Sequence, residues 1–376
     1  MSAVSWGLQQ DAALRAIAAW FRESDDQVFY LGGYAGTGKT TIAREAASAC
    51  EGGAIFAAFT GKAALVLQSK GCRGAQTIHS LIYSAFEHEV IDEMSGEVVR
   101  VEWRYGLNPD SAASIADLIV VDECSMVGDR LGEDLLSFGT KVLVLGDPAQ
   151  LPPVRGEGFF TRVAPDFMLT EIHRQAADNP IIRMSMEVRE GRDLQRGSYG
   201  DSRVIHRDDL GQRMVMGADQ VLVGTNNRRR TVNAKVRKLQ GRDPRHPEPG
   251  DRLVCLKNNK DKALLNGGLW TVREVQRGEG EFYSLHVDSL DVANLEARVV
   301  VHRLFFDGKP EDVPLDAQRK FDAFTYGYAL TVHKAQGSQW DDVLLIDESA
   351  TFRHDRARHL YTGLTRAAHR ITVAVA

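Results

Sequence analysis

The chain has 376 residues, 43% of them apolar and 26% charged, the composition of a soluble globular protein long enough for two or three domains. No apolar run approaches bilayer length and the amino terminus lacks a basic-then-apolar leader pattern, so the expectation is a cytoplasmic protein with no membrane partner. A net charge of −5 leaves nucleic-acid binding to local basic patches, and four scattered cysteines argue against zinc or disulfides and for a reducing compartment.

Leu14, Ile17, Trp20 and Phe21 have the spacing of an amphipathic helix. Gln10, just before them, carries an amide that both donates and accepts, so it can read an adenine edge or simply face solvent. The apolar run 28–31 then predicts a strand, and residues 41–49 a helix. Between them stands Gly33-Tyr34-Ala35-Gly36-Thr37-Gly38-Lys39-Thr40, the G-x-x-x-x-G-K-[ST] pattern in the strand-to-helix context it requires. Its glycines let backbone N–H groups converge on phosphate oxygens, and the following helix adds its positive end. Lys39 would reach the β- and γ-phosphates and Thr40 would place its hydroxyl on Mg²⁺. This stretch predicts nucleoside triphosphate binding.

Further along, residues 54–59 read as a buried strand ending in Thr60-Gly61-Lys62, and Thr77-Ile78-His79-Ser80 opens a helix. Either polar segment is also compatible with ordinary capping. The runs 88–91 and 98–103 flank Ser95-Gly96 and predict a β-hairpin inserted into the first domain, although the tip 94–96 carries no aromatic wedge. Trp103 and Tyr105 lie nearby in sequence. Four apolar residues, 118–121, deliver Asp122 and Glu123 at a strand end, suited to a Mg²⁺ contact and to activating the attacking water. After the next apolar strand, Gln150 is a candidate γ-phosphate sensor and Arg174 a candidate phosphate clamp.

A second α/β unit starts near Asn179, with a strand at 220–223 ending in Gly224-Thr225-Asn226. The segment that follows carries Arg228, Arg229, Arg230, Lys235, Arg237, Lys238, Arg242 and Arg245, either a solvated helix face or the footprint of a phosphate backbone. Short strands between 252 and 302, separated by Gly, Asn and Asp, are too closely spaced for βαβ units and predict a small barrel-like β insertion. The α/β pattern resumes near Phe321 and runs through residues 331–338 and 361–367, where Arg366 is placed to offer an arginine finger.

Taken in order, residues 33–40, 60–64, Asp122-Glu123, 146–151, Arg174-Gln175, 331–338 and 361–367 resemble the motifs of the superfamily 1 DNA helicases, most closely the 5′-to-3′ branch that includes the RecD subunit and the phage Dda helicase. The resemblance covers nearly the whole chain. It implies an α/β fold of two RecA-like P-loop domains, at 1–84 with 112–177 and at 178–249 with 321–376. A β-hairpin pin at 85–111 and an SH3-like β insertion at 250–320 would complete it. ATP and Mg²⁺ are the implied cofactors. Gly33, Ala35, Gly36, Thr37, Gly38, Lys39, Thr40 and Thr41 would cradle the nucleotide while Gln10 reads adenine. Thr40 and Asp122 would hold the metal, Glu123 would act as base, and Gln150, Arg174, Gln336, Gly337 and Arg366 would couple the γ-phosphate to domain closure. Thr60, Gly61, Lys62, His79, Thr225, Asn226, Thr331, His333, Lys334 and Ser338 would lie toward the nucleic acid.

The implied partners are single-stranded DNA and single-strand/duplex junctions, with replication or repair proteins as recruiters. A monomer would suffice, since one chain carries both halves of the ATP site. The implied activity is ATP-dependent unwinding by translocation on a single strand, its 5′-to-3′ direction resting on the resemblance alone. The rivals are a protein-displacing translocase and a non-hydrolysing binding module or subunit of a larger nuclease complex. Glu123 and Arg366 argue against the non-hydrolysing reading.

Overall fold

The computed structural model describes residues 6–50, 53–91, 98–153, 156–171, 179–243, 246–277 and 281–376. Two compact units result, one of residues 1–59, 63–148 and 152–173, the other of residues 60–62, 149–151 and 174–376.

In the first unit, helix α1 (Leu8–Glu23) precedes strand β1 (Val28–Gly33) and helix α2 (Lys39–Ser48). Then follow β2 (Ala54–Ala58), α3 (Gly61–Ser69), β3 (Gln76–Thr77) and α4 (Ile78–Ile82). A hairpin of β4 (Tyr83–Ile91) and β5 (Val98–Leu107) leads to β6 (Leu118–Asp122), α5 (Asp129–Leu136), β7 (Lys141–Gly146) and β8 (Phe167–Leu169). Six of these strands form one sheet, ordered β3-β2-β6-β7-β1-β8, with every pairing parallel.

Because successive strand residues point to opposite faces, unbroken apolar runs feed two cores at once. Phe29, Leu31, Val120, Leu143 and Leu145 pack with Ala13, Ile17 and Trp20 of α1 and Ile42 of α2. Tyr30, Ile119, Val121, Val142 and Val144 pack on the other side with Ile78 and Ile82 of α4 and Leu131 and Leu135 of α5. Parallel order also puts all the carboxyl ends on one edge, where β1, β2, β6 and β7 release the polar segments singled out above.

The hairpin pairs from Tyr83↔Leu107 to Ile91↔Val98, with a register shift between Val90 and Ile91. Its expected tip, Met94-Ser95-Gly96, lies outside the described residues. Near its base Phe86, Tyr105 and Leu107 are exposed, Tyr105 at 72%.

The second unit begins with α6 (Pro180–Arg189), β9 (Gly197–Tyr199), β10 (Ser202–His206), α7 (Gln212–Gly217), β11 (Gln220–Val223) and α8 (Asn226–Leu239). Strands β12 (Arg252–Cys255), β13 (Leu269–Arg277), β14 (Phe282–Ser289) and β15 (Glu296–His302) come next, then α9 (Leu315–Lys320), β16 (Phe324–Tyr326) and β17 (Ala329–Thr331). The chain closes with β18 (Trp340–Ile346), α10 (Arg356–Leu364) and β19 (Ala367–Val375). One sheet runs β17-β11-β18-β19-β10-β9, parallel except for the edge strand β9.

A separate antiparallel sheet runs β15-β14-β13-β12-β16 over its own core of Trp270, Leu285, Val287, Val299 and Phe324. Its fifth strand, β16, comes from the segment after residue 320, because Phe324–Tyr326 are buried and pair with Leu253–Cys255 rather than with the parallel strands.

The basic run on α8 divides: Arg230, Lys235 and Lys238 are exposed, whereas Arg237 faces inward. Arg237 is 1% exposed, ion-paired with Asp251 at 3.0 Å and stacked 4.1 Å over the Tyr326 ring. Arg242 joins the same carboxylate at 2.9 Å, and Arg228 pairs with Glu348 at 3.2 Å. Arg245 lies outside the described residues.

Candidate nucleotide site and strand-binding residues

The loop after β1 is shaped by two left-handed residues, Gly36 (φ 81°) and Gly38 (φ 85°), conformations that cost an L side chain about 1 kcal/mol or more. Gly33 is constrained differently: a Cβ there would lie 2.8 Å from Thr37 Oγ1 and 2.9 Å from the Leu169 Cβ. Thr37 is buried and its hydroxyl donates to Tyr34 O at 2.8 Å, which closes the loop on itself. Gly38 is the N-cap of α2, and Thr41 and Ile42 donate to its carbonyl at 3.0 Å, so Lys39 and Thr40 sit in the first turn. The amides of that turn point along the helix axis toward any anion placed before it. The Lys39 ammonium donates to Gly33 O and to Tyr34 O, the latter at 3.1 Å. Ala35 immediately precedes Gly36 in the loop, and Thr41 is exposed on α2.

Gln10 is buried on α1. Its amide nitrogen donates to Thr37 O at 3.3 Å, and its oxygen accepts from Gly7 N at 3.2 Å. It therefore braces the phosphate loop from behind. Its neighbour Gln9, not singled out from the sequence, ties α1 to the end of β8. Its oxygen accepts from the amides of Thr170 and Glu171, both at 2.8 Å. Only the doubled glutamine hinted at it.

At the end of β6, Asp122 accepts from the Glu123 amide at 2.9 Å. Desolvation first, and the Glu123 carboxylate second, push the Asp122 carboxyl above its ordinary range, while Lys39 and Lys70 pull it back. Glu123 itself adopts a left-handed backbone (φ 54°, ψ 45°), the kind of strain that collects at working sites. Behind it Cys124 is completely buried, its thiol pushed well up by burial, and behaves as a small core residue. The Asp122 carboxylate, crowded by that of Glu123, and a threonine in the first turn of α2 are hard oxygen donors, the chemistry that Mg²⁺ takes. The residues fit that ion.

In the second unit, Gln150 and Gln336 are both buried, and each side-chain oxygen has no hydrogen-bond partner among the described residues. The Gln336 amide nitrogen donates to Leu151 O at 2.9 Å, and the Leu151 amide donates to Thr362 Oγ1 at 2.9 Å. Arg366, 5% exposed, follows α10 and donates to the carbonyls of Thr362 (3.1 Å) and Ser338 (3.3 Å). Gly337 makes the intervening turn with φ 73°. Gln150, Gln336 and Arg366 thus belong to one braced cluster, and Arg174 lies outside the described residues.

The expected strand-binding residues divide. His79 is exposed in the first unit, its ring 5.5 Å from that of Tyr83 and 6.4 Å from that of Phe59. Thr331 caps the turn that follows β17, accepting from the Lys334 amide at 3.2 Å, and Ser338 is buried. The His333 ring packs against Phe352 at 5.6 Å with the planes tilted by 41°, and burial lowers its pKa. Asn226 is exposed at the start of α8, whereas the amides of Gly224 and Thr225 donate to Glu348 at 2.9 and 3.0 Å. Glu348 was invisible in the sequence because nothing local pairs it with residues 120 positions earlier. Thr60, Gly61 and Lys62 group with the second unit, where Lys62 pairs with Asp291.

Comparison with known proteins agrees with this geometry. A family model described as an AAA domain matches residues 7–209, and one described as a UvrD-like helicase C-terminal domain matches residues 326–374. The ATP-dependent RecD2 DNA helicase of Deinococcus radiodurans is 31% identical over 90% of this chain, and the chain spans 46% of that relative's length. Among solved structures, a Pif1 helicase pair unwinding forked double-stranded DNA superposes with a TM-score of 0.58 at 17% identity, over 98% of this chain and 92% of that one. Bacteroides Pif1 bound to single-stranded DNA gives 0.56 at 17% identity, with the same coverage, and both likenesses concern the fold. With the AAA-domain model spanning more than half of its length, the chain belongs to the AAA-domain family, and its likeness to the RecD2 helicase supports a superfamily 1B helicase of the RecD/Pif1 type.

Proposed function

We propose that this chain is an ATP-driven DNA helicase motor that steps 5′ to 3′ along a single strand. The observation that carries the reading is the single sheet edge on which the loop 33–40, opening α2 with Lys39 and Thr40, and the Asp122-Glu123 pair both emerge. Such an edge would bind ATP on backbone amides and the lysine, and Thr40 and Asp122 would hold Mg²⁺, which would supply neutralisation of phosphate charge. Glu123 takes a proton from the attacking water, and its Asp122 neighbour raises the electrostatic need for the metal. The unsatisfied oxygens of Gln150 and Gln336 are acceptors suited to orienting that water, whereas the γ-phosphate, itself an acceptor, would be sensed by the Gln150 amide nitrogen. Arg366 supplies the finger and Arg174 a clamp.

The two units correspond in this proposal to RecA-like domains that close on ATP and reopen on hydrolysis. The hairpin acts as a pin and the antiparallel sheet as an SH3-like module. Thr60, Lys62, His79, Thr225, Thr331 and His333 grip the sugar–phosphate backbone, so binding is weak in sequence preference and strongly salt-dependent. The name of the RecD2 relative and the DNA in the Pif1 structures support the choice of track.

The test is hydrolysis with and without single-stranded DNA, then unwinding of duplexes bearing a 5′ or a 3′ overhang. DNA-stimulated hydrolysis with opening of only the 5′-tailed duplex is expected. Opening of only the 3′-tailed duplex reverses the polarity, and stimulation without opening assigns a translocase.

A further inference from the structure

Two loops of the antiparallel sheet cover lysines that the strand reading needs. Residues 256–268 join β12 to β13, and residues 290–295 join β14 to β15. From the second loop, Asp291 pairs with the Lys62 ammonium; their side chains are 8% and 13% exposed. From the first, Asn266 accepts from the Lys334 ammonium, and Leu265 packs so closely on Gly61 that a Cβ there would lie 2.7 Å from a Leu265 methyl carbon. The second loop is tied to the start of β13, where the other Asp291 oxygen accepts from the Leu269 amide at 2.8 Å, and the first is closed on itself by reciprocal Asn259–Leu264 bonds of 2.9 and 2.8 Å.

The chemistry of the latch is that of the ligand. An ammonium offers three donors to any anionic oxygen, and a carboxylate and a phosphodiester compete for them. With so little of Lys62 exposed, an incoming phosphate meets that ammonium only by replacing Asp291.

We propose that these loops form a lid over Lys62 and Lys334, latched by Asp291, and that a backbone phosphate of a single strand opens it by taking Asp291's place on Lys62. The proposal rests on the reading that Lys62 grips the strand. Free protein is then held mostly in a closed form, and its apparent affinity for a strand is reduced by the fraction that is open.

The experiment measures binding of a fluorescent oligothymidylate by anisotropy across a salt series, for the full chain and three variants. Asp291→Asn keeps an oxygen for the Leu269 amide and removes the charge. It is expected to bind about tenfold tighter. Leu265→Ala, which loosens the lid without touching a charge, shifts affinity in the same direction. Lys62→Ala binds more weakly, with the salt slope reduced by about 0.7. Unchanged or weaker binding by Asp291→Asn and Leu265→Ala, with Lys62→Ala still impaired, overturns the latch and leaves the strand reading standing. An unaltered Lys62→Ala overturns both. Should Asp291→Asn not fold, amide exchange of the unmodified protein decides: exchange in residues 257–268 rises when oligothymidylate binds if the lid lifts, and stays or slows if it does not.

Discussion

At the scale of single residues, the nucleotide site separates groups that hold phosphate from groups that act on it. Lys39 stands in the first turn of α2 and belongs to the loop's own hydrogen-bond network, while Arg366 is braced on carbonyls of Thr362 and Ser338 in the other unit. Their losses are therefore expected to differ. Lys39→Ala abolishes DNA-stimulated hydrolysis and weakens nucleotide binding. Arg366→Ala leaves nucleotide affinity within about twofold while turnover falls on the order of 10³-fold. Equilibrium binding of a fluorescent nucleotide beside steady-state kinetics separates the two. Parallel loss of binding in Arg366→Ala would make it structural. Gln10, proposed to read adenine, also anchors Gly7 and Thr37 through its amide.

Among the elements, helix α8 shows how a charge run divides. Arg237 sits at its buried face, and Asp251 beneath it also accepts from Tyr328 Oη at 2.8 Å and the Glu248 amide at 2.7 Å. Truncating Arg237 removes one of the two basic partners of a buried carboxylate and leaves it to Arg242, so Arg237→Ala is expected to cost about 3 kcal/mol in urea unfolding, the low end for breaking a buried pair. A cost under 1 kcal/mol would return Arg237 to the solvated face that composition alone allowed. The hairpin carries the other element-scale prediction. Tyr105 is exposed at 72% near its base, and stacking on a base is worth about 1–3 kcal/mol. Tyr105→Ala is expected to slow unwinding about tenfold while DNA-stimulated hydrolysis stays within about twofold. Equal losses in both assays would refute a role confined to strand separation.

For the whole molecule, pH stability is set in part by His359. It is completely buried, neither ring nitrogen has a hydrogen-bond partner among the described residues, and it stacks on Phe352 at 4.1 Å. Burial, then the neighbouring His333, holds its pKa down to about 3 from the ordinary 6.5. Between those values the unfolded chain binds the proton and the folded chain does not. Stability is therefore full above 6.5 and is lost as pH falls toward 3, by up to about 1.4 kcal/mol per pH unit. Denaturant titrations across that window should show the slope, and His359→Leu should flatten it.

The phosphate loop, the Asp122-Glu123 strand end, the doubly buried parallel strands and the change of texture after residue 250 were legible in the chain alone. Each is a contiguous pattern whose chemistry needs only its neighbours in sequence. What only the tertiary structure decided are pairings between distant residues: Asp291 on Lys62, Glu348 on the start of α8, Asp251 under Arg237, and Phe324–Tyr326 joining the antiparallel sheet. A charge or a short apolar run is satisfied equally well by solvent or by a partner. Which of the two it meets is settled by chain packing, which no local pattern records.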